Sequence, residues 1–388
     1  MTIPSRPLPD AATVRPGQVW IWLACGGLGL AWLGALQVLW RCLAEGGQKW
    51  LQADWLINLA AGPVRRGPFG EALIRLAELS GLTPLAVVGL VQAVLVSALF
   101  LATLRLVAVQ TRPAMVLAVL SPGFFAVLWS ADALAGLRKE MIPLLALVLL
   151  ALPRAGLGRL VVSAGLLAAG AWGHEVGVLM LPAWGIALLL FPPDCSRRAQ
   201  GAVAAVTAAV VLWAAIYALR HAGVADTAPI CDRILQLGPV HPAFCDGAIA
   251  WLGTSENGPG TLRRALDASH NLLLLPVAIG LAVAPLAHLC RLAKPDRHLL
   301  ALILLAAAPP LLLYPLAIDW GRWVSLQVST LAILLLGLGA RGRFRPEPCP
   351  RPALMVLWLF LAVAAGLQAM TEVHPGALLF RLLHGFAV

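Results

Sequence analysis

A chain of 388 residues with 60% hydrophobic and only 12% charged side chains cannot cover a soluble surface, since a soluble domain of this size carries about twice that charged fraction. The net charge of +10 comes with no nucleic-acid-binding motif, so it gives no argument for a nucleic-acid partner. In a membrane protein that charge has meaning only once it is divided between the two sides.

Residues 1–18 are polar and Pro-rich, with Arg6 and Arg15. The apolar run 19–43 that follows is too long for a cleavable signal core, so it predicts an uncleaved first span. Trp20, Trp22 and Trp40 lie near its ends, as interfacial anchors would. Residues 44–83 form a first outer loop. Further apolar segments at 84–108, 113–130, 141–153, 160–173, 176–191, 201–219, 271–293, 299–318, 324–340 and 353–370 bring the expected total to about eleven spans. The segments at 141–153 and 160–173 are short. Pro122, Pro143, Pro182, Pro276 and Pro285 interrupt several spans, which a bundle tolerates when neighbouring helices satisfy the freed backbone groups. A long outer loop covers 220–270 and holds Cys231 and Cys245, for which a disulfide is expected if that side is oxidising. No CxxC occurs among the seven cysteines, and no metal motif is expected. The fold class is therefore all-α, a polytopic helical bundle forming one integral membrane domain over 1–388.

Orientation follows from the loops. With the N-terminus inside, the inner loops hold 15 cations against four acids, a net of +11, and the outer side nets −1. This excess predicts an N-in, C-out chain. Four polar clusters then fall on the outer face: Asp54 with Arg65 and Arg66, Arg138-Lys139-Glu140, His174-Glu175, and Asp319-Trp320-Gly-Arg322-Trp323. Each also has a bland reading: a solvated acid, cations at lipid headgroups, a helix start, an N-cap with interfacial Trp residues. Their convergence on one side is what points to chemistry.

The segment from Asp54 through Asn58, Gly62, Arg65-Arg66-Gly67 and Gly70, with the Arg-Lys-Glu, His-Glu and Asp-Trp-Gly-Arg-Trp patterns, resembles bacterial cell-envelope polysaccharide proteins. The architecture is similar to GT-C glycosyltransferases and O-antigen-type polymerases. The resemblance implies a multi-pass protein of the bacterial cytoplasmic (inner) membrane. It would transfer sugar from a polyprenyl-phosphate-linked donor, on the outer face, to a glycan or lipid-linked acceptor. Membrane lipids would contact the amphipathic stretch Glu71–Leu79, where the donor enters laterally. Asp54, His174 and Glu175 would be catalytic, with a carboxylate or imidazole taking the acceptor proton. Arg65, Arg66, Arg138, Lys139, Asp319 and Arg322 would bind substrate, the arginines through paired N–H donors to phosphate. Exposed Trp320 and Trp323 would stack on sugar rings. Partial desolvation would raise the Asp54 pKa and improve it as a base. GT-C enzymes often carry a second acid close to the first. Here Asp54 has no acidic neighbour nearer than Glu45, so the resemblance admits a divalent cation without supplying its second ligand.

The alternative is a membrane transporter or lipid-linked glycan flippase. Such proteins place ionisable groups near the bilayer midplane. The middles of these spans hold little beyond Gln92, Ser97, Thr103 and Thr207, and no long internal repeat is present.

Overall fold

The computed structural model describes residues 18–253, 269–316, 319–347 and 351–364. Among these residues the regular elements are helical, with one isolated bridge between Gly156 and Asp194 and no strand. In chain order the α-helices are α1 (Gln18–Ala44), α2 (Gly67–Ser80), α3 (Pro84–Ala108), α4 (Phe125–Ala131), α5 (Met141–Ala151), α6 (Leu157–Gly173), α7 (Glu175–Leu179), α8 (Leu181–Leu190), α9 (Arg197–Arg220), α10 (Ala228–Leu237), α11 (Ser269–Ala293), α12 (Arg297–Ala307), α13 (Trp320–Ala340) and α14 (Pro352–Ala364).

Among the described residues five helices are long and apolar enough to cross a membrane: α1, α3, α9, the Leu275–Ala293 part of α11, and α13. The protein is a helical membrane protein. Its centre is α13, nearly all of whose residues are buried, packed against α5, α11 and α12. At the periphery, α1 and α9 leave apolar side chains bare, among them Trp40 at 73% and Leu219 at 82% exposure. Such exposure fits a lipid solvent, in which an apolar outer face has no hydration cost.

Several predicted spans are broken. Segment 113–130 is not one helix but a 3-10 turn over Pro113–Ala118, a bend at Ser121-Pro122-Gly123, and α4. Pro122 cannot continue an i→i−4 ladder. Polar groups beside the break find partners across the bundle. Ser121 Oγ donates to the Ala282 carbonyl, and the Phe125 N–H donates to Ser329 Oγ (2.8 Å). A Cβ on Gly123 would sit 2.9 Å from Ala282 Cβ, so this close approach requires glycine. Segment 176–191 is divided at Met180 into α7 and α8, with Pro182 opening the second. Segment 299–318 stops as α-helix at Ala307 and continues as a 3-10 turn over Pro309–Leu313. The part of segment 353–370 beyond Ala364 lies outside the described residues.

Loops assigned to the inner face meet at one end. Arg341 donates to the Leu152 carbonyl (3.0 Å) and its guanidinium lies over the Phe191 ring. Arg343 donates to the Leu190 carbonyl (2.7 Å), and Arg112 pairs with Glu347 (2.7 Å). At the opposite end, α2, α10 and the loops around 46–62 and 241–253 form a cap. The His241 N–H donates to Gly46 (2.8 Å), the Ala248 N–H to Lys49 (3.0 Å), and Asn58 Nδ2 to Ile230 (3.0 Å). The expected disulfide is there: Cys231 and Cys245 are bonded, with Cα atoms 6.2 Å apart.

Candidate functional site

The four polar clusters, spread over more than 260 positions of sequence, meet under this cap. The loop carrying Asp54 is wholly buried, because Trp55, Leu56 and Ile57 are anchored inside, with Trp55 Nε1 donating to the Leu137 carbonyl (3.1 Å). Helix α2 lies directly on it. A Cβ on Gly70 would fall 1.9 Å from the Ile57 carbonyl oxygen, so only glycine permits this approach. The chain turns into α2 through Arg66, which holds a left-handed φ of 67°. That conformation costs a non-glycine residue about 1–3 kcal/mol and persists only where its surroundings enforce it. Here two carboxylates enforce it. Arg66 Nη1 donates to Asp54 (2.8 Å), while Nε and Nη2 both donate to Glu175 Oε2 (3.1 and 2.7 Å). Arg65 lies 3.6 Å from the other Glu175 oxygen.

Leu137, the residue before Arg138-Lys139-Glu140, is also left-handed, at φ 57°. Its carbonyl takes hydrogen bonds from Trp55 and from Gln92 Nε2 (2.8 Å), and Gln92 Oε1 in turn accepts from Gln52 (2.9 Å). Lys139 is 1% exposed, and its ammonium donates to the Asp54 carbonyl (2.7 Å) and the Gly173 carbonyl (2.9 Å) and pairs with Asp54 Oδ2 (3.2 Å). An ammonium has three donors. All three are taken, so Lys139 ties the loop to α6 and has nothing left for an anion, contrary to the substrate-binding role expected for it.

On the other flank Arg322 pairs with Glu140 and Asp319. Arg138 donates from Nε to the Leu134 carbonyl (2.9 Å). Burial, with Arg322 beside it, lowers the Arg138 pKa to about 10, which leaves it a cation at neutral pH. Burial raises the Glu140 carboxyl, but Arg322 outweighs this and brings it down to about 2.

Two expectations are corrected by this geometry. Burial does push the Asp54 carboxyl up, yet Lys139, Arg66 and His174 outweigh it and hold it well below the usual carboxylate range. Asp54 is thus a weak base while those pairs stand. Trp320 and Trp323 are not exposed sugar platforms: they are 4% and 2% exposed. Trp320 Nε1 donates to the Tyr314 carbonyl (3.0 Å), and the Trp323 face carries the Arg322 guanidinium 5.0 Å from its centroid.

His174 caps α7 by accepting the Val176 N–H on Nδ1 (3.2 Å). Burial and Arg66 push its pKa down to about 4, so it is neutral at pH 7 with its proton on Nε2. In that tautomer it is a donor rather than a base. Glu175 is the more accessible acid, its side chain 28% exposed against 10% for Asp54. With Arg66 and His174 it lines a small cavity closed by Tyr217, whose ring lies 5.4 Å from Trp172. Sequence reasoning missed Tyr217 and Gln52, and noted Gln92 without placing it at the site. Of these only Gln92 left a signal, as an amide in an otherwise apolar helix.

Several polar atoms here are buried without a hydrogen-bond partner among the described residues: Arg65 Nε, Arg322 Nε, Trp323 Nε1 and Glu175 Oε1. Such orphans are rare in folded proteins and each calls for a cause. Among the described residues no group of three His, Cys, Asp or Glu side chains is placed to hold a metal ion. No protein-family model, curated protein or solved structure matches the chain.

Proposed function

We propose that this chain is a membrane glycosyltransferase or polysaccharide polymerase. It works at the outer face of the bacterial cytoplasmic membrane with polyprenyl-phosphate-linked sugar donors, in a GT-C-like bundle of about eleven spans. The observation that carries the reading is the meeting of Arg65, Arg66, Arg138 and Arg322 at one end of the bundle, with the Nε–H groups of Arg65 and Arg322 left without a partner among the described residues. Buried guanidinium groups with free N–H donors suit a phosphate or pyrophosphate leaving group.

In this reading the acceptor hydroxyl attacks the anomeric carbon, and the carbon–oxygen bond to the phosphate breaks. The phosphate leaves with the electron pair, and the acceptor proton passes to a carboxylate. That carboxylate must be free to take it. A phosphate that draws Arg65 and Arg66 to itself loosens their hold on Glu175 and Asp54, and removing a neighbouring cation raises a carboxyl pKa. Substrate binding thus turns a locked acid into a base. Glu175, the more exposed of the two, is the first candidate and Asp54 the second. The position of the ionisable groups at a bundle end, rather than along a path through it, supports this reading over a flippase.

The test is the full chain in liposomes with lipid-linked oligosaccharide extracted from a bacterial envelope. Transfer should release polyprenyl phosphate or pyrophosphate, and Glu175→Gln should slow it by about 100- to 10,000-fold, the usual loss for a general base. Movement of the glycan across the bilayer with no release of lipid phosphate would reject the reading in favour of transport.

A further inference from the structure

A second cleft opens on the same cap, between α2 and α10, with a volume of about 430 Å³. Its polar lining is Glu78 from α2 and Asp232, Arg233 and Gln236 from α10. Its apolar lining is Pro229, Leu237 and Ala60. On α10 these residues recur every three to four positions, which places them along one helical face.

The walls are fixed before any ligand arrives. Arg233 bridges Glu71 (2.8 Å) and Glu78 (3.1 Å), and Arg75 bonds the same two carboxylates from the α2 side (3.1 and 2.9 Å). The Cys231–Cys245 disulfide and the bond from Asn58 to Ile230 hold α10 in place. Fixed walls lower the ordering cost of binding. The charges are interleaved: three acids (Glu71, Glu78, Asp232) and two bases (Arg75, Arg233). A phosphate finds no excess of cations here, and the cations among the acids disfavour a metal ion. A neutral, hydroxyl-rich ligand finds both donors and acceptors, with apolar side chains for its C–H faces.

We infer that this cleft is a saccharide subsite that holds the sugar chain of the substrate at a distance from the ion cluster. The inference rests on the glycosyl-transfer reading and deepens it. Ala60 lines the cleft and Asp54 lies six positions earlier, so the two are no more than about 20 Å apart along the chain. A ligand that occupies both places presents its phosphate to the ion cluster and its sugar chain to the cleft.

The experiment uses the full chain in detergent micelles and the neutral oligosaccharides released by mild acid from the envelope of the cell that makes the protein. Saturation-transfer NMR reports their binding, and inorganic pyrophosphate is titrated in the same sample. Asp232→Ala should weaken oligosaccharide binding by about tenfold, the loss of a hydrogen bond or two. Gln236→Trp, which fills the cleft from an exposed position, should abolish it; a non-reducing gel showing the disulfide intact confirms that the cap has folded. Oligosaccharide binding that both variants leave unchanged overturns the inference. Pyrophosphate binding without oligosaccharide binding overturns the cleft alone, and loss of both overturns the transfer reading beneath it. Displacement of the sugar by Ca²⁺ alone would show a cation site instead and also overturns it.

Discussion

Arg322 shows what a buried charge demands of its surroundings. Its side chain is 5% exposed and is balanced by two carboxylates. Removing one partner of a buried pair leaves the other uncompensated, at a cost of about 3–5 kcal/mol. Arg322→Ala should therefore lower the thermal midpoint in detergent sharply. Arg322→Met combined with Glu140→Met should restore much of it, since it removes the more buried of the two orphaned carboxylates and leaves Asp319, the more exposed one; equal losses in both proteins would contradict this account. The site should also be acid-sensitive in two stages. His174 titrates near 4 when folded and near 6.5 when unfolded, so its contribution is present above about 6.5 and is lost as pH falls toward 4. Asp54 and Glu140 are depressed as well, so theirs is present above about 4 and is lost below that. Unfolding midpoints measured from pH 8 to 3 should show both stages. His174→Gln should flatten the first and leave the second.

At the scale of elements, the apolar segments were legible in the sequence because lipid-facing and core-facing residues are both hydrophobic, so long runs stand out. What was not legible was where those runs break. Pro122 and Gly123 break one because Ala282 and Val328 press against it, which is tertiary information. The same holds at the site. Asp54, Arg66, Glu175 and Arg322 were readable as members of polar clusters that converge on one side of the bundle. That Lys139 is consumed as a tie and that Trp323 is sealed beneath Arg322 depends on partners distant in sequence. Gly70 is the clearest element-level constraint. Gly70→Ala forces α2 off the Asp54 loop, and overpacking of this kind costs about 1–3 kcal/mol. Hydrogen exchange should show residues 53–57 losing protection, whereas a local change confined to α2 would argue that the loop is held elsewhere. Replacing Cys231 and Cys245 with Ser should remove about 3 kcal/mol of constraint from the cap, read as faster proteolysis between α9 and α11.

For the whole molecule, the two bundle ends make a sidedness prediction. Cysteines placed at Glu78 and Asp232 should react with an impermeant thiol reagent from one side of the membrane, and one at Arg343 only from the other. Labelling of all three from one side would remove the basis for an outer-face site. The interrupted segments carry a further consequence, for biogenesis. The translocation machinery accepts helices one at a time, and among the described residues five are long and apolar enough to be accepted unaided. The pieces around α4, α7–α8 and α12 are too short or too broken, and two polar groups of the α4 segment, Ser121 Oγ and the Phe125 N–H, find their partners on α11 and α13. A nascent chain released before α13 would leave those groups facing hydrocarbon. The ion cluster takes Arg138, Lys139 and Glu140 from just past α4 and Arg322 from α13 itself. It is therefore among the last things the chain completes, and a truncated product should be rejected by quality control before it can show any part of the activity.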